Sequence, residues 1–233
     1  TGVQTCALPI YYPEWVATYW ATVSIGAAVV GMNAWWTSEE MEYGLSDSRP
    51  KVLVCDAERL ERVVPILGNL RATSPLHVIA VRAEGDLPED ADHWSNVVDP
   101  SSAPEALPVA EIDPDDDACI FYTSGTTGFP KGAQLTHRGS VHNVMNLAFM
   151  GLTSAAAEAR ARAAGDIDGP PAADPVGGGG GQSVYMAPTP LFHVTANNCL
   201  LQPCTLVGGK IVLTRSEEHT SELQSRPHIS YAV

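Results

Sequence analysis

The sequence predicts an α/β fold in which parallel sheets are flanked by helices. Apolar segments of strand length alternate with amphipathic segments of helical length, and this alternation implies parallel strands joined by right-handed crossovers. The chain has 233 residues and 45% of them are hydrophobic, so a sizeable core can be buried. No apolar run reaches the roughly 18 residues that a membrane span requires.

The first part of the chain alternates helix and strand three times. Pro13 suits a first helical turn, and Thr37 followed by acidic residues is typical of a helix start. The predicted elements, placed by hydrophobic periodicity, are helix 13–24, strand 27–32, helix 37–45, strand 51–55, helix 57–67 and strand 77–82. An acidic, proline-rich connector over 84–117 follows, with one short strand predicted near Val97.

The second part of the chain repeats the alternation around a polar loop. Its predicted elements are strand 118–122, loop 123–132, helices 137–150 and 154–164, strand 184–187, helix 194–201 and strand 210–213. Residues 165–182 contain five consecutive glycines and predict a flexible loop. A nucleotide-binding fingerprint has other residues between its glycines, so this unbroken run does not match one.

The two ends of the chain have an unusual relation. A DNA strand that can encode residues 1–10 has a reverse complement that, in one frame, encodes residues 216–224. The string resembles a common sequencing-library adapter, and residues 229–233 fit its continuation. We therefore expect residues 1–10 and 215–233 to be adapter translation, against the alternative of a natural polar tail. The coding portions would be 11–112, a first α/β part with its connector, and 113–214, a second part with the polar loop.

Composition excludes some functions. The net charge is −14, from 27 acidic and 13 basic residues, which argues against a nucleic-acid-binding face. The acidic clusters at 84–92 and 113–117 lack the spacing of a calcium loop and are interpreted as solvated loops rather than a metal site. Five cysteines without a CxxC pair favour reduced, buried thiols and a cytoplasmic location.

Residues 122–131, YTSGTTGFPK, carry the clearest chemical signal. Glycines allow backbone N–H groups to turn toward an anion, hydroxyls add donors, and Lys131 adds a compact positive charge. The candidate phosphate-binding residues are Thr123, Ser124, Gly125, Thr126, Thr127, Gly128 and Lys131. The adjacent Gly-Lys pair of a Walker loop is absent, so a P-loop nucleotidase is disfavoured. A polar surface turn is the remaining alternative from these residues alone.

The longer string FYTSGTTGFPKGAQLTHRG resembles the signature of the adenylate-forming (AMP-binding) superfamily. Residues 12–56 and 183–213 also resemble the segments before and after this loop in fatty-acid–CoA ligases. The resemblance implies a partial N-terminal domain of the adenylate-forming fold. It places His193, next to Phe192, at the acyl and AMP pocket, whereas a lone histidine would otherwise be a surface or core residue. Ala196 stands where the family usually has glycine, which puts the local backbone approach in doubt.

The resemblance implies ATP, Mg²⁺ and coenzyme A as reactants with a small carboxylic acid, and a catalytic role for Lys131. A carboxylate would attack ATP to give acyl-AMP, and a thiol would then displace AMP. The family's downstream motifs and mobile C-terminal domain are not in this sequence, so the fragment is expected to be inactive by itself. An acyl-CoA ligase of fatty acid metabolism is the leading interpretation. An aryl-CoA ligase, a carrier-loading adenylation domain and a non-catalytic nucleotide-binding homologue remain alternatives.

Trp35 and Trp36 suggest either an aromatic binding platform or a strand-to-helix turn that packs on the core. The sequence around them fits the packed turn. The protein residues that would hold a metal, and the oligomeric state, are not predicted.

Overall fold

The computed structural model describes residues 4–7, 12–102, 106–123, 128–169, 182–214 and 229–232. These residues contain a seven-stranded sheet and a three-stranded sheet, with helices alongside. The α/β class is thereby confirmed. The chain divides into two compact units, the first made of Thr1–Arg138 with Pro190–His193 and the second of Gly139–Thr189 with Val194–Val233.

The first unit is built on the larger sheet. Its elements are β1 Gln4–Ala7, α1 Pro13–Ser24, β2 Ala28–Gly31, α2 Ser38–Ser48, β3 Val52–Asp56, α3 Ala57–Val63, α4 Leu67–Thr73, β4 His77–Val81, β5 Ala91–His93, α5 Trp94–Val97, β6 Asp117–Thr123 and β7 Lys131–Thr136. The strand order is β5-β4-β3-β1-β2-β6-β7. All neighbouring pairs are parallel except β6 and β7, which form an antiparallel hairpin.

The helix starts follow the predicted signals closely. Pro13 occupies the first turn of α1, and Gly26 takes a φ of +72° just after that helix ends. Thr37 caps α2 through a capping box, in which its side chain accepts from the backbone of Glu40 and the Glu40 carboxylate accepts from the backbone of Thr37. α2 runs to Ser48, three residues beyond the prediction.

Three predictions in this unit were wrong in detail. The helix predicted over 57–67 is broken by the 3-10 turn Val64–Ile66, because Pro65 lacks an N–H group and its ring obstructs the preceding turn. Val97 ends the short helix α5, and the connector's strand is instead β5. β7 lies partly in the predicted loop, and its largely exposed residues lack the apolar alternation that reveals a strand.

The core of the first unit lies between the sheet and helices α2 to α4. Strand residues such as Leu53, Val78 and Ile120 pack there with Met41 and Leu60, each less than a tenth exposed. α1 contacts β1 and β2 and buries Trp15 completely. These contacts fix the carboxyl ends of β2 and β6, where the candidate residues lie.

The second unit contains a long helix and the smaller sheet. Its elements are α6 His137–Ala164 (of which His137 and Arg138 belong to the first unit), β8 Val184–Ala187, α7 Val194–Ala196, the π-helical turn Asn197–Leu201, α8 Gln202–Leu206, β9 Lys210–Thr214 and β10 Ile229–Ala232. β8 pairs with β9 in parallel and β10 pairs with β9 in antiparallel fashion. α6 is continuous where two helices were predicted, and the Thr153 hydroxyl donates to the Phe149 carbonyl within it.

β1 and β10 both fall in the stretches predicted to be adapter translation. β1 lies in the sheet between β2 and β3, and Cys6 and Ala7 are completely buried there. The adapter origin of these residues and the domain boundaries derived from it stay predictions.

Two further expectations concern the whole chain. Although α6 has 28 residues, no described helix combines the length and apolar character needed to cross a membrane. All five cysteines lie within the described residues and none forms a disulfide. Four are buried as expected, whereas Cys199 is exposed.

Candidate functional site

The polar loop spans the tip of the β6–β7 hairpin. Thr123, the last residue of β6, is the register partner of Lys131, the first residue of β7. Directly opposed residues in an antiparallel pair project to the same face, so these two side chains share one face of the hairpin. Both are exposed, and the Thr123 hydroxyl donates to the Lys131 carbonyl at 3.4 Å. The Thr123 and Lys131 side chains therefore lie on one face of the hairpin, at the two ends of the loop.

The remaining loop candidates divide into two groups. Ser124, Gly125, Thr126 and Thr127 lie outside the described residues. Gly128 takes a φ of +127°, which side chains rarely tolerate, and a Cβ there would meet nothing within 4 Å. A glycine at this position is thus required by backbone conformation and leaves open space beside it.

Tyr122 lies on the opposite face of the hairpin. Its partner is Gly132, where a Cβ would lie 2.8 Å from Ile120 Cγ2, so glycine at this position lets β7 approach the Ile120 side chain closely. The Tyr122 hydroxyl donates to Asp47 Oδ2 of α2 at 2.5 Å. Burial, and then the hydrogen bond to Asp47, raise the pKa of the Tyr122 phenol, which therefore stays protonated as a donor.

His193 lies in a short segment that belongs to the first unit, Pro190–His193. Its side chain is exposed, and its backbone N–H donates to the Pro190 carbonyl at 3.0 Å. The neighbouring Phe192 is 9% exposed. A Cβ on Gly31 would lie 2.7 Å from the Phe121 ring and 3.1 Å from the Phe192 carbonyl. Gly31 therefore lets the His193 segment cross the end of β2 beside β6.

The tryptophan pair joins the two candidate elements. The Trp35 ring meets Phe192 edge-on at a centroid distance of 5.4 Å, and Trp36 meets Tyr122 edge-on at 5.7 Å. Trp36 is 7% exposed and Trp35 is 43% exposed. The packed turn is confirmed for Trp36, while Trp35 also presents its indole to solvent. Sequence reasoning assigned neither residue to the site, because both contacts join positions far apart in the chain.

The acidic cluster before β6 has a structural role. Arg138 forms a two-point ion pair with Asp115, with Nε–Oδ1 at 2.6 Å and Nη2–Oδ2 at 3.0 Å. The hydrogen bonds from Arg138 lower the pKa of the exposed Asp115 carboxyl below its ordinary value. Within the described residues, no group of three or more His, Cys, Asp and Glu side chains could hold a metal ion.

The second unit contains an apolar cavity of about 160 Å³. It lies between α6 and the elements β8 to α8, and its lining includes Val144, Leu147, Tyr185, Cys199 and Leu206. None of the predicted site residues lines it. The exposed Cys199 thiol opens onto this cavity.

A family model for AMP-binding enzymes matches residues 11–232 of this chain. The 4-coumarate-CoA ligase 1 of Narcissus pseudonarcissus is 30% identical over 208 residues, which cover 88% of this chain and 32% of that ligase. The chain spans about a third of the length of such curated relatives.

Solved structures share the fold. The anthranilate CoA ligase AuaEII in complex with anthranoyl-AMP is 25% identical with a TM-score of 0.67, over 89% of this chain and 34% of that one. A long-chain-fatty-acid-CoA ligase from Archaeoglobus fulgidus is 23% identical with a TM-score of 0.64, over 91% of this chain and 35% of that one. The larger, mostly parallel sheet with its flanking helices is thus similar to the N-terminal domain of adenylate-forming enzymes.

Proposed function

Since the chain belongs to the AMP-binding enzyme family, we propose that the complete protein is an ATP-dependent acid–CoA ligase and that this chain supplies its pyrophosphate-binding loop. The observation that carries the proposal is the β6–β7 hairpin, which sets Thr123 and Lys131 opposite each other at the two ends of the polar loop. Hydroxyl and ammonium donors on one face fit a departing polyphosphate.

The proposed reaction has two steps. The oxygen of a carboxylate attacks the α-phosphorus of ATP, the bond to the bridging oxygen breaks, and pyrophosphate leaves with that electron pair. The thiol of coenzyme A then loses its proton to solvent and its sulfur attacks the acyl carbon of the acyl-AMP, and the bond from that carbon to the phosphate oxygen breaks as AMP leaves. Mg²⁺ enters as part of the nucleotide substrate and offsets phosphate charge.

This chain's residues act mainly in the first step. Thr123, Ser124, Gly125, Thr126, Thr127, Gly128 and Lys131 are proposed to hold the β- and γ-phosphates. Lys131 stabilises the charge that grows on pyrophosphate as the bond breaks, which is the kind of stabilisation that catalysis chiefly needs. His193 is exposed, and the residue before it, Phe192, packs against Trp35. His193 is proposed to border the acyl and AMP pocket.

Two classes of acid have separate support. The sequence resemblance around residues 12–56 and 183–213 favours a fatty or medium-chain acid. An aromatic acid is favoured by the similarity to a 4-coumarate-CoA ligase and to an anthranilate CoA ligase. The reaction is the same for both classes of acid. A cytoplasmic location is proposed because the acid, ATP and coenzyme A are found there.

The test is acid-dependent exchange of labelled pyrophosphate into ATP, measured with the complete enzyme that contains these residues. A panel of acetate, octanoate, palmitate, benzoate and 4-coumarate separates the acid classes, and thioester formation is then measured with coenzyme A or a carrier protein. Nucleotide binding without exchange for any acid would identify a non-catalytic homologue. We expect no exchange from the 233-residue chain alone, and measurable turnover by it would contradict that expectation.

A further inference from the structure

Two side chains of helix α2, spaced one helical turn apart, contact the β6–β7 hairpin. Tyr43 and Asp47 are four residues apart, so they lie on the same side of the helix. The capping box of Thr37 and Glu40 fixes the start of α2, and the αL conformation of Arg49 ends it. Both ends of α2 are therefore fixed, so Tyr43 and Asp47 have well-defined positions from which to contact the hairpin.

Asp47 holds the segment that leads into the phosphate loop. Its carboxylate accepts the hydrogen bond from Tyr122, two residues before the first loop residue outside the described range. The Tyr122 ring is confined on one side by the Trp36 ring, which it meets in an edge-to-face contact. A confined ring with its hydroxyl bound at 2.5 Å leaves the end of β6 little freedom to move.

Tyr43 holds the segment that leaves the loop. Its ring stacks on Phe129 with a centroid distance of 4.6 Å and an interplanar angle of 22°. Phe129 is 71% exposed, which is unusual for a large apolar ring, and it precedes Lys131 by two residues. The stack therefore ties the exit of the loop to the same helix that ties its entrance.

We propose that Tyr43 and Asp47 are positioning residues for the phosphate loop, holding its two ends on α2 so that Thr123 and Lys131 face the departing pyrophosphate. The proposal rests on the proposed function of the loop. Catalytic charge stabilisation depends on donors that are already in place, and a displacement of about 1 Å costs up to about a hundredfold in rate. Replacing either side chain is therefore expected to lower kcat/KM for ATP even if that side chain does not contact ATP.

The first experiment measures pyrophosphate exchange by the complete enzyme. Tyr43→Leu removes the stack, Tyr43→Phe keeps it, Asp47→Ala removes the acceptor of the Tyr122 hydroxyl, and Ser46→Ala is a matched control at an exposed position of α2. We expect kcat/KM for ATP to fall about threefold to tenfold in Tyr43→Leu and Asp47→Ala, as for the loss of one stacking or charged hydrogen-bond contact. Tyr43→Phe and Ser46→Ala should keep the wild-type value, and the KM for the acid should not change in any variant.

The outcomes separate the two proposals. Absence of exchange by the wild-type enzyme with every acid refutes the proposed function. Wild-type exchange with unchanged ATP kinetics in Tyr43→Leu and Asp47→Ala refutes the positioning role alone. Equal losses for ATP and acid together with a lower Tm also refute it, because they indicate general destabilisation.

The second experiment uses the 233-residue chain and needs no activity. Hydrogen–deuterium exchange of peptides covering residues 122–132 should be several-fold faster in Tyr43→Leu and Asp47→Ala than in Ser46→Ala, with peptides from β3 and β4 unchanged. Adding Tyr122→Phe to Asp47→Ala should produce only a small further increase, because both changes remove the bond at 2.5 Å and only the longer contact of the Tyr122 hydroxyl with the Gly44 carbonyl, at 3.5 Å, is then still to be lost. Unchanged exchange in the loop peptides would overturn the proposal whatever the enzyme assay shows.

Discussion

Replacing Gly31 with alanine tests how closely the elements at the candidate site approach. The added methyl group would lie 2.7 and 2.8 Å from two atoms of the Phe121 ring and 3.1 Å from the Phe192 carbonyl. Phe121 is 5% exposed, so its ring has little room to move away, and the carbonyl belongs to the backbone. Either β2 or the segment that bears His193 has to shift.

Such overpacking costs about 1–3 kcal/mol of unfolding free energy. For a chain of this size that corresponds to a Tm lowered by roughly 2–12 °C. Gly68→Ala in α4 is the matched control, because a Cβ there meets nothing within 4 Å and alanine favours a helix by about 0.5–1 kcal/mol. Thermal and urea unfolding followed by circular dichroism would measure both. A Gly31→Ala chain as stable as the wild type would refute the close packing of β2, β6 and the His193 segment.

Three other predictions concern charge and reactivity. Lys131→Ala in the complete enzyme should slow pyrophosphate exchange by about 10²–10³-fold, whereas Lys210→Ala, at an equally exposed strand start, should not. A thiol reagent should modify one cysteine rapidly in the native chain, and Cys199→Ser should remove that reaction. Arg138 holds the pKa of Asp115 below its ordinary value, so the ionised pair stabilises the fold above about pH 4 and the contribution fades as pH falls. Thermal melts should accordingly show a Tm deficit for Asp115→Asn at pH 7 that shrinks toward pH 3.

The sequence predicted what is encoded locally. The Pro13 start of α1 and the Thr37 capping box depend on neighbours within one helical turn, so both could be recognised from spacing. The same holds for the buried strands, whose apolar runs are continuous. Thr123 and Lys131 were assigned to an anion site from residue type and from the resemblance, and that assignment stays a prediction.

The features that escaped prediction depend on tertiary contacts. β7 is a strand because it pairs with β6, although its own residues are polar and largely exposed. Asp47 and Tyr43 read as ordinary residues of an amphipathic helix, and only the fold brings them to Tyr122 and Phe129. No local pattern could have assigned them to the loop.

The central position of β1 leads to a last prediction about the natural gene. β2 and β3 both pair with β1 and not with each other, so they lie two strand spacings apart, roughly 9.6 Å. An empty slot of that width would leave two rows of buried backbone groups without hydrogen-bond partners. If residues 1–10 are adapter translation as predicted, we expect the natural gene to encode before Tyr11 a parallel strand for this slot, with small or apolar residues at the positions of Cys6 and Ala7.

Sequencing the gene from an independent DNA sample tests both parts of that argument. We expect a different sequence before Tyr11, because residues 1–10 are predicted to be adapter translation, and we expect it to contain a short apolar strand. Recovery of TGVQTCALPI itself would show that the adapter prediction is wrong. A polar or proline-rich sequence at the positions of Cys6 and Ala7 would contradict the strand requirement, since these two positions are completely buried and the strand is hydrogen-bonded on both edges.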